Sequence, residues 1–150
     1  MSPLEAALSY LRQGFSVIPI IAKDKKPLIA WEEYQNRRAT EEEIKAWWAR
    51  WPDANVGIVT GAVSGLVVID IDCVEVKEKL KELLRDYDLS TIPRSRTGNG
   101  WQLFFKHPGV TIPNRAGVLP GLDVRGDGGY VVAPPSVHPT GKVYRWEVPI

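Results

Sequence analysis

A mixed α/β (α+β) domain is what the order of hydrophobic patterns in this chain predicts. Helix-period and strand-period segments intermix through the first half, strand-period segments dominate the second, and glycine and proline punctuate the strands. That order points to an antiparallel or mixed sheet, not a doubly wound parallel one. With 150 residues, 44% of them hydrophobic and 25% charged, the chain is one domain's worth and can bury a real core.

The elements follow in order. Leu4, Ala7, Leu8 and Leu11 recur at helical spacing over residues 3–13, and Gly14 stands where a C-terminal cap belongs. Residues 15–21 (FSVIPII) read as a short buried strand, stopped by the polar run Lys23-Asp24-Lys25-Lys26-Pro27. Thr40 with Glu43 is a capping box for a second helix, whose inner face is Ile44, Trp47, Trp48 and Trp51, and Pro52 ends it. Residues 55–60 and 65–72 are strands separated by a turn. Residues 74–87 are the plainest helix, with Leu80, Leu83, Leu84 and Tyr87 predicted inward and alternating Lys and Glu outward. Five further strands are predicted at 92–97, 101–106, 121–125, 129–133 and 143–147.

Chemistry concentrates in Gly65-Leu-Val-Val-Ile-Asp-Ile-Asp72. A strand alternates faces, so Asp70 and Asp72 project to one side beyond Val68, while Ile69 and Ile71 take the other. Two neighbouring carboxylates at the end of an apolar strand repel each other and lose hydration. A hard divalent cation, Mg²⁺ or Mn²⁺, resolves both costs; a strand end facing water, with Asp72 capping the next helix, is the other reading. In Leu122-Asp123-Val124-Arg125, Asp123 and Arg125 share a face. Asp123 either completes a three-carboxylate nest with Asp70 and Asp72 or pairs with Arg125. Asp127, in Gly126-Asp-Gly-Gly129, reads as a turn former.

Between the acids lies Pro93-Arg-Ser-Arg-Thr-Gly-Asn-Gly-Trp-Gln-Leu-Phe-Phe105. Arg94 and Arg96 on one strand face, followed by a glycine turn, fit a triphosphate cradle, and they fit an ordinary β-hairpin as well. If Gln102 lies on the same face as the acids, its amide could hydrogen-bond a phosphate or sugar. The cluster Lys23, Lys25, Lys26 fits template or nucleotide phosphates, or a solvated loop.

Other classes are disfavoured. A net charge of +1 gives no global attraction to nucleic acid, so any such binding is local. The single cysteine, Cys73, excludes an internal disulfide framework and a zinc ribbon. His107 and His138 have no second His or Cys at ligand spacing. No P-loop, GxGxxG, membrane-length apolar run or signal-peptide pattern is present, and a cytoplasmic location is the default expectation.

As an ordered set, Gly14-Phe-Ser-Val-Ile-Pro19, Lys26-Pro27 with Trp31, Asn55-Val-Gly-Ile-Val-Thr-Gly61, Gly65–Asp72, Arg96-Thr-Gly-Asn-Gly100 and Gly121–Ser136 resemble the bifunctional DNA primase/polymerase N-terminal (prim-pol) family. This family belongs to the archaeo-eukaryotic primase superfamily and occurs in replication proteins of plasmids, phages and integrated elements. The resemblance covers nearly the whole chain. It implies a small α/β module packed on a mixed sheet resembling an RNA-recognition fold, with the active site in the cleft between. It implies template-directed nucleotidyl transfer by two metal ions, Mg²⁺ or Mn²⁺, held by Asp70, Asp72 and Asp123. The partners implied are nucleoside triphosphates, a single-stranded DNA template with primer, and a helicase domain in a longer replication protein of which residues 1–150 are the single N-terminal catalytic domain. Arg94, Ser95, Arg96, Gln102, Arg125 and Lys26 are the expected nucleotide contacts. Where the family has a histidine that contacts the incoming nucleotide, this chain has Gln102, which cannot carry an imidazolium's charge. Without extra helical or zinc-bearing segments, primer extension is expected over initiation. The rival expectations are a weakened fold that only binds nucleotide or single-stranded DNA, and a metal-dependent nuclease.

Overall fold

The computed structural model describes residues 1–150. Helix α1 (Pro3–Arg12) starts where Ser2 accepts the Glu5 N–H and ends at Gly14, φ +95°. There the Phe15 N–H reaches the Tyr10 carbonyl and the Gly14 N–H reaches Leu11, a Schellman closure. Its deepest residues are Ala6, Ala7 and Tyr10; Leu4, Leu8 and Leu11 pack only partly, a small rotation from the expected face. Strand β1 (Ser16–Ile20) is buried throughout. Helix α2 (Glu41–Arg50) carries the predicted capping box, and it buries Ile44 and Trp48 while Trp47 and Trp51 lie at the edge.

Strand β2 (Asn55–Val59) pairs antiparallel with β1 and with β8 (Tyr130–Ala133), giving a three-stranded sheet of order β1-β2-β8. Helices α1 and α2 cover it, and its apolar side chains form the main core with Val68 and Phe104 of the second sheet. That second sheet has six antiparallel strands: β6 (Arg115–Leu119), β7 (Leu122–Arg125), β3 (Leu66–Ile71), β5 (Trp101–Lys106), β4 (Arg94–Arg96) and β9 (Arg145–Val148), in that order. Of the two sheet types the sequence allowed, the antiparallel one forms in both layers.

Helix α3 (Val74–Leu83) packs on the outer face of the larger sheet through Val76 and Leu80, over Ile71, Trp101 and Leu122. Here the expectation is corrected. The helix stops four residues early, Leu83 and Tyr87 are exposed, and only four residues are buried in this second cluster, too few to cover its last turn. Asp72 does not cap α3; Cys73 holds that position without a side-chain bond. The exposed edge strand β6 was not foreseen. No helix is long and apolar enough to cross a membrane.

Candidate active site

Register across the larger sheet builds one row on its inner face. Asp70 stands opposite Asp123 on one side and Gln102 on the other; Gln102 stands opposite Ser95. The next row places Arg125 and Phe104 on either side of Val68. Because alternate residues face opposite ways, Asp70, Gln102, Ser95, Asp123 and Arg125 all turn toward the smaller sheet. Between the layers opens a polar cavity of about 540 Å³. Asp70 and Asp72 line it from β3 and its end, Gln102 from β5, Arg125 from β7, and Tyr130 and Val132 from β8.

Asp70 is a perturbed group. Burial pushes its pKa up to about 6; the Arg125 charge works against that rise, and the Asp72 carboxylate adds to it. No hydrogen-bond donor contributes to holding its charge. Asp72, one turn of the pleat further, is exposed at the cavity mouth. Two hard oxygen donors without protein partners therefore share one wall. That donor set fits Mg²⁺ or Mn²⁺, which are commonly held by one or two carboxylates completed by substrate phosphates.

Asp123 is in register beside Asp70, but its carboxylate is engaged. One oxygen accepts the Gly117 N–H at 2.7 Å and the other pairs with Arg125 at 3.0 Å. No three acidic, histidine or cysteine side chains converge closely enough to ligate one ion. Of the two sequence readings, the pair with Arg125 is the one formed here.

Strand alternation carries two of the expected nucleotide contacts away from the acids. Arg94 and Arg96 lie opposite Leu103 and Trp101, which puts both arginines on the α3 face, away from the acids. Arg94 bonds the Leu89 carbonyl and approaches Glu147, and Arg96 stacks on the Trp101 ring at 4.5 Å. Ser95 does face inward, but it is fully buried and donates to Gln102 Oε1 at 2.7 Å. The Gln102 amide then donates to the Val132 carbonyl at 3.1 Å, tying the two sheets together. Both ends of that amide are engaged by protein, so for a phosphate, which needs donors, it has one N–H left at most. Lys26 lies outside the cavity; Lys25 is the lysine that lines it, and its charge acts on Asp70.

The glycine turn between β4 and β5 is a packing device. A Cβ on Gly100 would collide with the Ile71 carbonyl oxygen, and one on Gly98 with the His138 ring. Asp127, expected only to form a turn, is a tertiary clamp: its carboxylate accepts the N–H groups of Ala62 and Ile112 and meets His107. The cavity also contains Trp31, and with it Asn114, His138 and Tyr144, three residues that sequence reasoning did not place there. For His138 the available signal was its position in a Pro-Pro-Ser-Val-His-Pro run close to a β-turn, not any partner in sequence.

Residues 7–150 match the family described as bifunctional DNA primase/polymerase, N-terminal. No curated protein matches the chain with significance.

Proposed function

The chain belongs to the bifunctional DNA primase/polymerase N-terminal family, a family of primase/polymerase-type nucleotidyl transfer, and we propose that its inter-sheet cavity joins a nucleoside triphosphate to a primer 3′-hydroxyl on a DNA template. The observation that carries this reading is the pair Asp70 and Asp72, two carboxylates without protein partners on the wall of a cavity of about 540 Å³. Asp70 and Asp72 would hold Mg²⁺ or Mn²⁺ together with the substrate phosphates. The chemistry such cations bring is a lowered pKa for the attacking hydroxyl and neutralisation of the triphosphate and the leaving pyrophosphate.

Arg125 and Lys25 supply the positive charge that draws the triphosphate in, and a guanidinium fork suits phosphate oxygens. When Arg125 turns to a phosphate, Asp123 loses its partner beside Asp70 and becomes available as the third acid. Gln102 keeps the two sheets at a fixed separation across the cavity. Replication of a plasmid, phage or integrated element is the setting this reading implies.

A second reading has its own support. Asp123 is tied to Arg125 and Gln102 is spent on Ser95 and Val132, as in a fold that binds nucleotide or single-stranded DNA without turnover. Extension of a labelled primer in Mg²⁺ or Mn²⁺ separates the two. We expect elongation by the unchanged protein and a loss of about a thousandfold or more in Asp70→Ala. Retained triphosphate binding with no elongation by the unchanged protein would leave the binding module. Shortening of the strand without added triphosphate would identify a nuclease instead.

A further inference from the structure

The segment after β8 brings to the cavity a side chain of well-defined chemistry. It folds back as a tight hairpin: the His138 N–H donates to the Lys142 carbonyl at 2.7 Å, Gly141 to His138 at 2.8 Å, and Tyr144 to Ser136 at 2.8 Å. Pro139 suits the first corner of the turn, and Gly141, φ +90°, provides the left-handed residue that closes it. Asn55 clamps the hairpin to β2, donating to the Val137 carbonyl at 2.8 Å and accepting the Val137 N–H at 3.0 Å. His138 is thereby held against the cavity wall, only 7% exposed.

The neighbours of this imidazole decide where its proton sits. Thr140 directs its backbone N–H at Nδ1 from 3.1 Å, and its hydroxyl lies 2.9 Å from the same nitrogen. A backbone N–H can only donate, so Nδ1 accepts and the neutral ring carries its proton on Nε2. No protein group meets Nε2. Burial, with the charges of Lys25 and Lys142, keeps the ring's pKa below the ordinary histidine value and so keeps it neutral. The absence of a side chain at Gly98 makes the ring's seat. Beside it stands Tyr144, ring centroids 5.7 Å apart, 2% exposed and with no protein partner for its hydroxyl.

An N–H without a protein acceptor on the wall of a polar cavity, one that also contains the Lys25 ammonium, is placed to meet an anionic oxygen. We propose that His138 is a nucleotide-contact residue whose Nε2–H donates to a phosphate oxygen of the triphosphate in the cavity, supplying from the 138–141 hairpin the contact that Gln102 does not make. The inference rests on the reading of the cavity as a triphosphate site.

Calorimetric titration with deoxyguanosine triphosphate and Mg²⁺ tests it on the unchanged protein, His138→Ala and His138→Gln. A glutamine amide places an N–H near the position of imidazole Nε2. We expect about tenfold weaker binding in His138→Ala and recovery of most of that loss in His138→Gln. Equal affinity in His138→Ala overturns the assignment and leaves the cavity reading standing; no binding by the unchanged protein overturns both. Should His138→Ala not fold by thermal melt, ¹⁵N spectra of the unchanged protein decide. The Nε2 resonance is expected to move on adding the triphosphate with the ring still protonated there, and an unmoved Nε2 overturns the proposal.

Discussion

Alternate residues of the same strands make the two faces of the six-stranded sheet, yet the faces treat charge in opposite ways. Toward α3, Ile71, Trp101 and Leu122 form a dry cluster, and the cations around it have partners: Arg94 with Glu147 and the Leu89 carbonyl, Arg96 and Lys77 with the Trp101 ring. Toward the smaller sheet, half-buried Asp70 has no donor, and His138 and Tyr144 carry polar atoms that no protein group meets. The one fully buried polar atom without a partner, Trp101 Nε1, is on the outer face; the unpartnered atoms of the inner wall open to the cavity, where an arriving ligand can meet them. The outer face holds the sheet together. The inner face is unfinished without a ligand.

Both faces depend on the strand end at Ile71 and Asp72 being held against the turn of the neighbouring hairpin. Gly100→Ala breaks that support, because the new methyl group meets backbone, which cannot swing aside as a side chain can. The expected loss is about 3 kcal/mol or more in urea denaturation, the largest effect among these predictions. Gly117→Ala is the control. It has positive φ but open space around it, and a cost of about 1 kcal/mol is expected. Equal losses in the two would mean that the turn is not the support it looks to be.

How much of this was legible in the sequence depended on which face a residue took. The alternation in Gly65–Asp72 put Asp70 and Asp72 on one side, and the cap residues Thr40, Glu43 and Gly14 marked helix ends, because those signals are local. Alternation also told that Arg94 and Arg96 share a face, but not which one. That depends on pairing with β5, a non-local register that puts Ser95 opposite Gln102. The choice between Lys25 and Lys26 was hidden in the same way, inside a loop with no period. Strand β6 escaped notice because every residue in it is exposed, so no burial pattern was written into it. The tautomer of His138 needed Thr140 in its folded position, which a turn with Pro139 and Gly141 provides.

Asp70→Asn sharpens the contrast between the faces through stability. Burial raises the Asp70 pKa to about 6, so folding favours its protonated form. The stability linked to that proton is complete below the ordinary carboxylate range and is lost as pH rises through about 6. Asparagine has no charge to desolvate. In chelator, to exclude cations, the variant is expected to be more stable than the unchanged protein at pH 7 by on the order of 2 kcal/mol, with the difference closing below about pH 4. Denaturation at the two pH values measures it. A variant that is no more stable at pH 7 would mean that Asp70 is satisfied within the protein, and the inner face would then resemble the outer one.

The smallest effect expected is the one that tests the faces most directly. Arg94 and Arg96 were the sequence's leading phosphate contacts, and the register moves them to the α3 side, where the sheet itself separates them from Asp70. Arg125, one row from Asp70, is on the acid side and lines the cavity. Triphosphate affinity, measured by equilibrium titration without DNA so that only the cavity is probed, should therefore change by less than about twofold in Arg94→Ala and Arg96→Ala, a difference under about 0.4 kcal/mol. Arg125→Ala should weaken it by about tenfold, since a charge-assisted phosphate contact is stronger than a neutral one. Were either outer arginine to matter as much as Arg125, phosphate would have to reach around the edge of β4, and a single-sided site could not be maintained.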